Sequence, residues 1–133
     1  MSMEDSARQE MVRLYFEKAW QCWTDAEQAK QLSAWSMCAN RMYYALVNAF
    51  RALLLQDQHP CHKHNGIKSL VGRYYVVTGE LTDQEGKLYS QMETMREKAD
   101  YDCYFNAEEQ DIIEKFDAVL ALLHRIEGIV QSR

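Results

Sequence analysis

The chain has 133 residues, 47% of them hydrophobic and 26% charged, with five glycines and a single proline, Pro60. That balance excludes disorder and fits one domain able to bury about two-thirds of its unfolded surface. The apolar runs are too short to span a membrane, and a net charge of −5 argues against non-specific nucleic-acid binding, which depends on neutralising phosphate charge.

The acidic start, Met1-Ser2-Met3-Glu4-Asp5, lacks a signal-peptide core and points to the cytoplasm. Apolar spacing and end signals predict five helices, with no alternation of the kind strands need. The first covers about 6–31, opened by the capping-box spacing Ser6-x-x-Gln9, with Met11, Tyr15, Ala19, Cys22, Ala26 and Ala29 on one face. The second covers about 33–56, with Trp35, Ala39, Met42, Leu46, Ala49 and Leu53 as its stripe. So short a connection makes the pair an antiparallel hairpin.

Residues 57–65 form the main loop, holding Pro60 and three of the four histidines. A short third helix over about 66–78 stops at Gly79, a natural C′ position. Thr82-x-x-Glu85 opens the fourth, whose inner stripe is Leu88, Met92, Met95 and Ala99; Asn106-x-x-Glu109 opens the fifth, which presents Ile113, Phe116, Leu120, Leu123, Ile126 and Val130. The expected fold is all-α: an up-and-down bundle of four main helices plus a short fifth one, forming a single domain over 1–133.

Charge is unevenly spread. Residues 31–79 carry five bases (Arg41, Arg51, Lys63, Lys68, Arg73) against one acid, Asp57, and both flanks are acidic. A locally basic middle permits a small anion site or an acidic partner. On the second helix Arg41, Tyr44, Asn48 and Arg51 follow at three- and four-residue spacing, a polar ridge beside the apolar stripe. On the fourth, Asp100 sits where the helix dipole disfavours an anion, and Arg96 before it is in the weaker orientation for an intrahelical pair. Local helix physics therefore does not explain Asp100, and Arg41 is the expected partner.

His59, Cys61, His62 and His64 crowd four potential ligands into six residues, too tight to wrap one tetrahedral ion, so neither metal nor cofactor is expected. Cys22, Cys38, Cys61 and Cys103 form no C-x-x-C pair and read as reduced thiols. No Gly-rich phosphate loop, nucleophile elbow or H-E-x-x-H occurs.

Four motifs stand in order: Ala39-Asn40-Arg41-x-Tyr43-Tyr44-Ala45, His64-x-Gly66, Gly79-Glu80-Leu81 and Arg96-x-x-Ala99-Asp100-Tyr101. Over about 11–130 this order resembles the HEPN domains (higher eukaryotes and prokaryotes nucleotide-binding), in their small stand-alone prokaryotic branch. The resemblance implies a homodimeric helical module whose partner is a minimal nucleotidyltransferase, in a toxin–antitoxin or defence-type pair, with a nucleotide or RNA phosphate as ligand. It makes Arg41 and Arg96 the anion-binding or network arginines, oriented by Asp100. Asn40, Tyr44 and Tyr101 supply hydrogen bonds, and His64 stands at the positive end of the third helix.

Several HEPN branches are metal-independent ribonucleases with an arginine, four to six residues, and a histidine. That signature is absent here; Tyr101 occupies the matching position after Arg96, and a phenol of ordinary pKa near ~10 is a poor acid/base at neutral pH. The reading leans away from an enzyme. The alternatives are a divergent ribonuclease using Arg96, Tyr101 and His64, and a non-catalytic structural homodimer in which the same residues fix bundle register.

Overall fold

The computed structural model describes residues 2–61, 63–101 and 109–133, which form α1 (Met3–Gln31), α2 (Trp35–Gln56), α3 (His64–Val71), α4 (Asp83–Tyr101) and α5 (Glu109–Gln131). The all-α expectation holds, and there is no strand among these residues.

α1 starts earlier than its sequence suggests. Ser2, not Ser6, is the N-cap: its hydroxyl accepts the Asp5 N–H at 3.0 Å, and the Asp5 carboxylate takes the Ser2 N–H at 3.3 Å. The reciprocal bonds add a turn before the expected start. The buried face also differs at its N-terminal end, where Val12 and Phe16 are buried and Met11 is exposed. The shift of one position is about 100° of rotation, which carries Met11 off the core side.

α1 and α2 both end on a non-glycine residue in the left-handed region, Ser33 (φ 55°) and Gln58 (φ 61°). After α1, Ser33 N–H bonds Lys30 O and Ala34 N–H bonds Ala29 O; after α2, Gln58 N–H bonds Leu55 O and His59 N–H bonds Leu54 O. These are paired Schellman bonds that satisfy carbonyls the helix leaves open. Because Ser33 serves this turn, it cannot cap α2, which begins at Trp35 without a side-chain cap.

α2 is the central element, with thirteen of its twenty-two residues buried. α1, α4, α5 and α3 all pack on it, while α1 and α4 flank it without packing along each other. Asn48, expected on a polar ridge beside the apolar stripe, is turned inward at 4% exposure and donates to Tyr44 O at 2.8 Å. Trp23 packs at a tilt against Phe116, ring centroids 4.4 Å apart, and Trp20 donates to Glu127 at 2.7 Å, so the two tryptophans of α1 join it to α5.

α3 opens at His64 and, past Val71, widens into a π turn (Gly72–Val76) where Val77 N–H reaches Gly72 O at 2.9 Å. The wider turn puts Tyr75 inside, bonding Asp57 at 2.8 Å, and Tyr74 outside, stacked on His59 at 3.8 Å. Arg133 forks onto the same Asp57 at 2.9 and 3.0 Å and pairs with Glu80 at 2.7 Å. Gly79 does adopt φ 82°, and Thr82 and Glu85 do close a capping box at 2.8 and 3.1 Å.

On α4 the core includes Tyr89 as well as Met92, with Leu88 and Met95 packed at its edge. α5 buries Ile112, Val119 and Leu122 besides Phe116, Leu123 and Ile126, and leaves Ile113 half exposed. The expected Asn106 box and Cys103 lie outside the described residues.

Candidate functional site

In the space between α1 and α4, α2 presents Asn40, Arg41, Tyr43 and Tyr44, and α4 faces them with Tyr89, Glu93, Arg96 and Asp100. The α4 residues are spaced 4, 3 and 4 apart, so they lie on one face. Arg41 donates Nε and Nη2 to Asn40 Oδ1 at 3.0 and 2.7 Å. Asn40 Nδ2 in turn donates to Asp100 Oδ2 at 3.4 Å, and Arg96 Nη1 lies 3.5 Å from that oxygen. The chain Arg41–Asn40–Asp100–Arg96 thus ties two helices through alternating donors and acceptors. Arg96 sits over Tyr43 at 5.0 Å and over Tyr44 at 5.7 Å, and Arg41 sits over Tyr44 at 5.3 Å. Two guanidiniums share one ring.

Asp100 therefore pairs with Arg96 and Asn40, not with Arg41 as expected. The weaker i,i+4 orientation is overcome because the neutral Asn40 amide bridges the two charged groups. Arg41 makes no ion pair among the described residues. Besides the Tyr44 ring, it makes a long contact from Nη1 to Cys22 Sγ at 3.9 Å.

Burial pushes the Tyr43 phenol above its ordinary range, and burial followed by its bond to Tyr43 does the same to Tyr89. Their hydroxyls stand 3.5 Å apart, and that of Tyr43 donates to Glu93 at 3.4 Å. Both phenols stay neutral at physiological pH and act as hydrogen-bonding groups rather than acids. Burial also raises the Cys22 thiol, with Arg41 opposing it. With Asp100 paired to Arg96, the arginine left to an anion on this face is Arg41, which is held by the neutral Asn40 amide.

The profile of the HEPN domain family matches residues 12–129. The chain belongs to that family. A UPF0332 protein of Thermotoga maritima is 27% identical over 125 residues, 94% of this chain and 95% of its own length. A Methanocaldococcus jannaschii protein bearing the name "Putative toxin" is 34% identical over 61 residues, 46% of each chain.

Of the site residues expected in this HEPN domain, Asn40, Arg41, Tyr44, Arg96 and Asp100 come together. His64 opens α3 and Tyr101 closes α4, and their side chains lie outside the described set. Among the described residues no three His, Cys, Asp or Glu side chains converge as metal ligands. His59 is instead taken up by Tyr74, and Cys61 Sγ by Lys63 O at 2.9 Å.

Tyr43, Tyr89, Glu93 and Cys22 also join this cluster and were not among the residues expected in it. Tyr43 is written in the Asn40–Ala45 motif, and the 89-93-96-100 spacing on α4 was a readable signal. The role of Cys22 was not readable, since it depends on the register of α1 against α2.

Proposed function

We propose that this HEPN domain is a non-catalytic binding module that takes a nucleotide or RNA phosphate on its Arg41–Arg96 face. We propose further that it acts as a homodimer with a minimal nucleotidyltransferase as partner, in the cytoplasm. The observation that carries the phosphate reading is the state of Arg41: its guanidinium is held by a neutral amide, without an ion pair among the described residues, beside a second arginine in an acidic protein. Such a positioned, uncompensated charge favours an anion. A second copy is supported by Met11 and Leu14, neighbouring apolar side chains three residues apart on α1 that are 43% and 41% exposed. No helix among the described residues is long and apolar enough to cross a membrane. The name of the archaeal relative supports a toxin–antitoxin setting.

The ribonuclease alternative finds less support, because no arginine here precedes a histidine by four to six residues, and the buried phenol beneath Arg96, Tyr43, is harder to ionise than free tyrosine. The test is a pull-down from the native host with bound nucleotide identified in the same eluate. Recovery of a small nucleotidyltransferase, lost when its gene is deleted, is the expected result. RNA fragments without a protein partner would move the ribonuclease reading forward, and neither would end the module reading.

A further inference from the structure

α4 and α5 both pack along α2 but hardly meet each other. A polar tie joins them at one end, where Arg125 pairs with Glu85 at 2.9 Å. From that tie toward Gln91 and Glu114 they leave a trough of about 640 Å³. Its α5 wall is Glu114, Ala118, Ala121 and Arg125, spaced 4, 3 and 4 apart, in one row about 16 Å long. Its α4 wall is the row Gln84, Lys87 and Gln91. Half-buried Leu88 and buried Leu122 supply an apolar floor, and Ala118 and Ala121 are exposed and too small to fill the space above it.

The geometry selects a helix as occupant. From Lys87 onward both walls are helix interiors, whose N–H and C=O groups are bonded within their own helix. An extended chain laid there would find no partners for its backbone. A helix closes its backbone on itself, and alanines at the contact permit the short end of the ~8–10 Å range of helix separations.

Charge selects the kind of helix. Glu85 and Arg125 neutralise each other, and Glu114 accepts from Gln110 on its own helix at 3.4 Å. Lys87 on one wall and half-buried Lys115 on the other make no ion pair among the described residues. Two lysines against Glu114 leave an excess of positive charge beside the apolar floor, in a chain of net charge −5.

We propose that the trough docks an amphipathic helix of a partner protein, about three turns long, with acidic residues along the flanks of its apolar stripe. The stripe covers Leu88, Leu122 and the two alanines, and the flanking acids meet Lys87 and Lys115. The proposal stands apart from the phosphate reading. The Gln84–Gln91 row lies about half a turn around α4 from Tyr89, Glu93 and Arg96, and no residue of the Arg41–Arg96 cluster lines the trough.

The test is fluorescence anisotropy with labelled, hydrocarbon-stapled peptides of about 14 residues, since an unstapled helix of that length is marginal in water. One peptide carries a leucine stripe flanked by glutamates, and the other the same stripe flanked by lysines. The wild type is expected to bind the glutamate peptide about tenfold more tightly. Lys87→Glu with Lys115→Glu should reverse that preference. Lys18→Glu with Lys63→Glu, an equal change of net charge at exposed positions elsewhere, should leave it intact. Ala118→Gln with Ala121→Gln fills the trough without adding charge and should weaken the glutamate peptide about tenfold.

Equal binding of the two peptides overturns the proposal, and so does binding of neither. A Lys18/Lys63 variant that shifts the preference as far as the Lys87/Lys115 variant also overturns it. If the Lys87/Lys115 variant does not fold, the alanine pair, at two exposed positions, decides alone, and unchanged binding there overturns the proposal. Sedimentation velocity tests for a second copy as occupant. Self-association abolished by the alanine substitutions would assign the trough to another copy of this chain and end the reading of a different partner.

Discussion

Asn40 fixes the Arg41 guanidinium by accepting two of its N–H groups on one amide oxygen, although the two residues are neighbours on the same helix. Adjacent helical side chains diverge by about 100°, so this pairing bends the arginine back along the surface toward α4. Asn40→Ala should release it. The loss of these partly buried hydrogen bonds should cost about 1–2 kcal/mol, and affinity for inorganic phosphate or AMP should fall more than stability explains. Thermal melts with calorimetry separate the two. Unchanged binding in a folded variant would remove Asn40 from the site.

Alkaline pH should weaken the fold. Burial raises the Cys38 thiol from 9.0 to about 11, and burial also raises Tyr43, Tyr75 and Tyr89 above their ordinary 10.0. Groups with a raised folded pKa hold their stabilising contribution in full below the unfolded value and lose it as pH climbs through the folded one. Melting temperature should therefore be flat with respect to these groups up to about pH 9 and decline steadily to about pH 11. Cys38→Ala should soften the first part of that decline. A melting curve that does not respond over this window would contradict the burial of these groups.

Ser33→Gly and Gln58→Gly should each stabilise the protein. Both positions are left-handed at φ 55° and 61°, which costs an L side chain about 1–2 kcal/mol relative to glycine. Part of that gain is lost to the greater freedom of unfolded glycine, leaving roughly 0.5–1 kcal/mol each. Urea unfolding of the single and double variants checks it, and the two effects should add.

Gly86→Ala should destabilise despite alanine's better helix propensity. A Cβ there would stand 2.9 Å from Val76 Cγ2, where α4 meets the π turn. Overpacking of this kind costs about 1–3 kcal/mol, against roughly 1 kcal/mol of propensity gained. Val76→Ala should relieve the contact, so the double variant should be more stable than the sum of the singles predicts. Simple additivity in the double-mutant cycle would show that the helix shifts instead.

Asp57→Asn should loosen the end of the bundle. Asp57 receives the Tyr75 hydroxyl and both arms of the Arg133 fork, joining α2, the π turn and the end of α5. Losing the charge should cost about 1–3 kcal/mol. Arg133→Gln should cost less in the Asp57→Asn background than alone, and equal costs in both would deny the coupling.

Helix number, the hairpin, the Thr82–Glu85 box and the Gly79 turn were legible because each depends on residues within one turn of each other. Register was less so. Met11 and Ile113 were placed inside, but Val12 and Ile112 are buried in their stead, because near a helix end two stripes one residue apart match the spacing equally well. The π turn had no local signature. For Asp100, the choice between Asn40 and its neighbour Arg41 depended on side-chain direction across a helix pair, a distance finer than any spacing rule. The inward turn of Asn48 was hidden for the same reason: its bond goes to the backbone of Tyr44, a partner no residue pattern reveals.

The placement of the arginine ridge on α2 has a consequence for motion. Amide hydrogens of a helix enclosed by four others should exchange only on global unfolding, whereas those of exposed, lightly packed segments exchange by local opening. The face proposed to take a ligand is thus carried by the segment expected to exchange most slowly. Binding there should bring little ordering of the backbone, a small conformational entropy change, and selection by fit to a shape already in place.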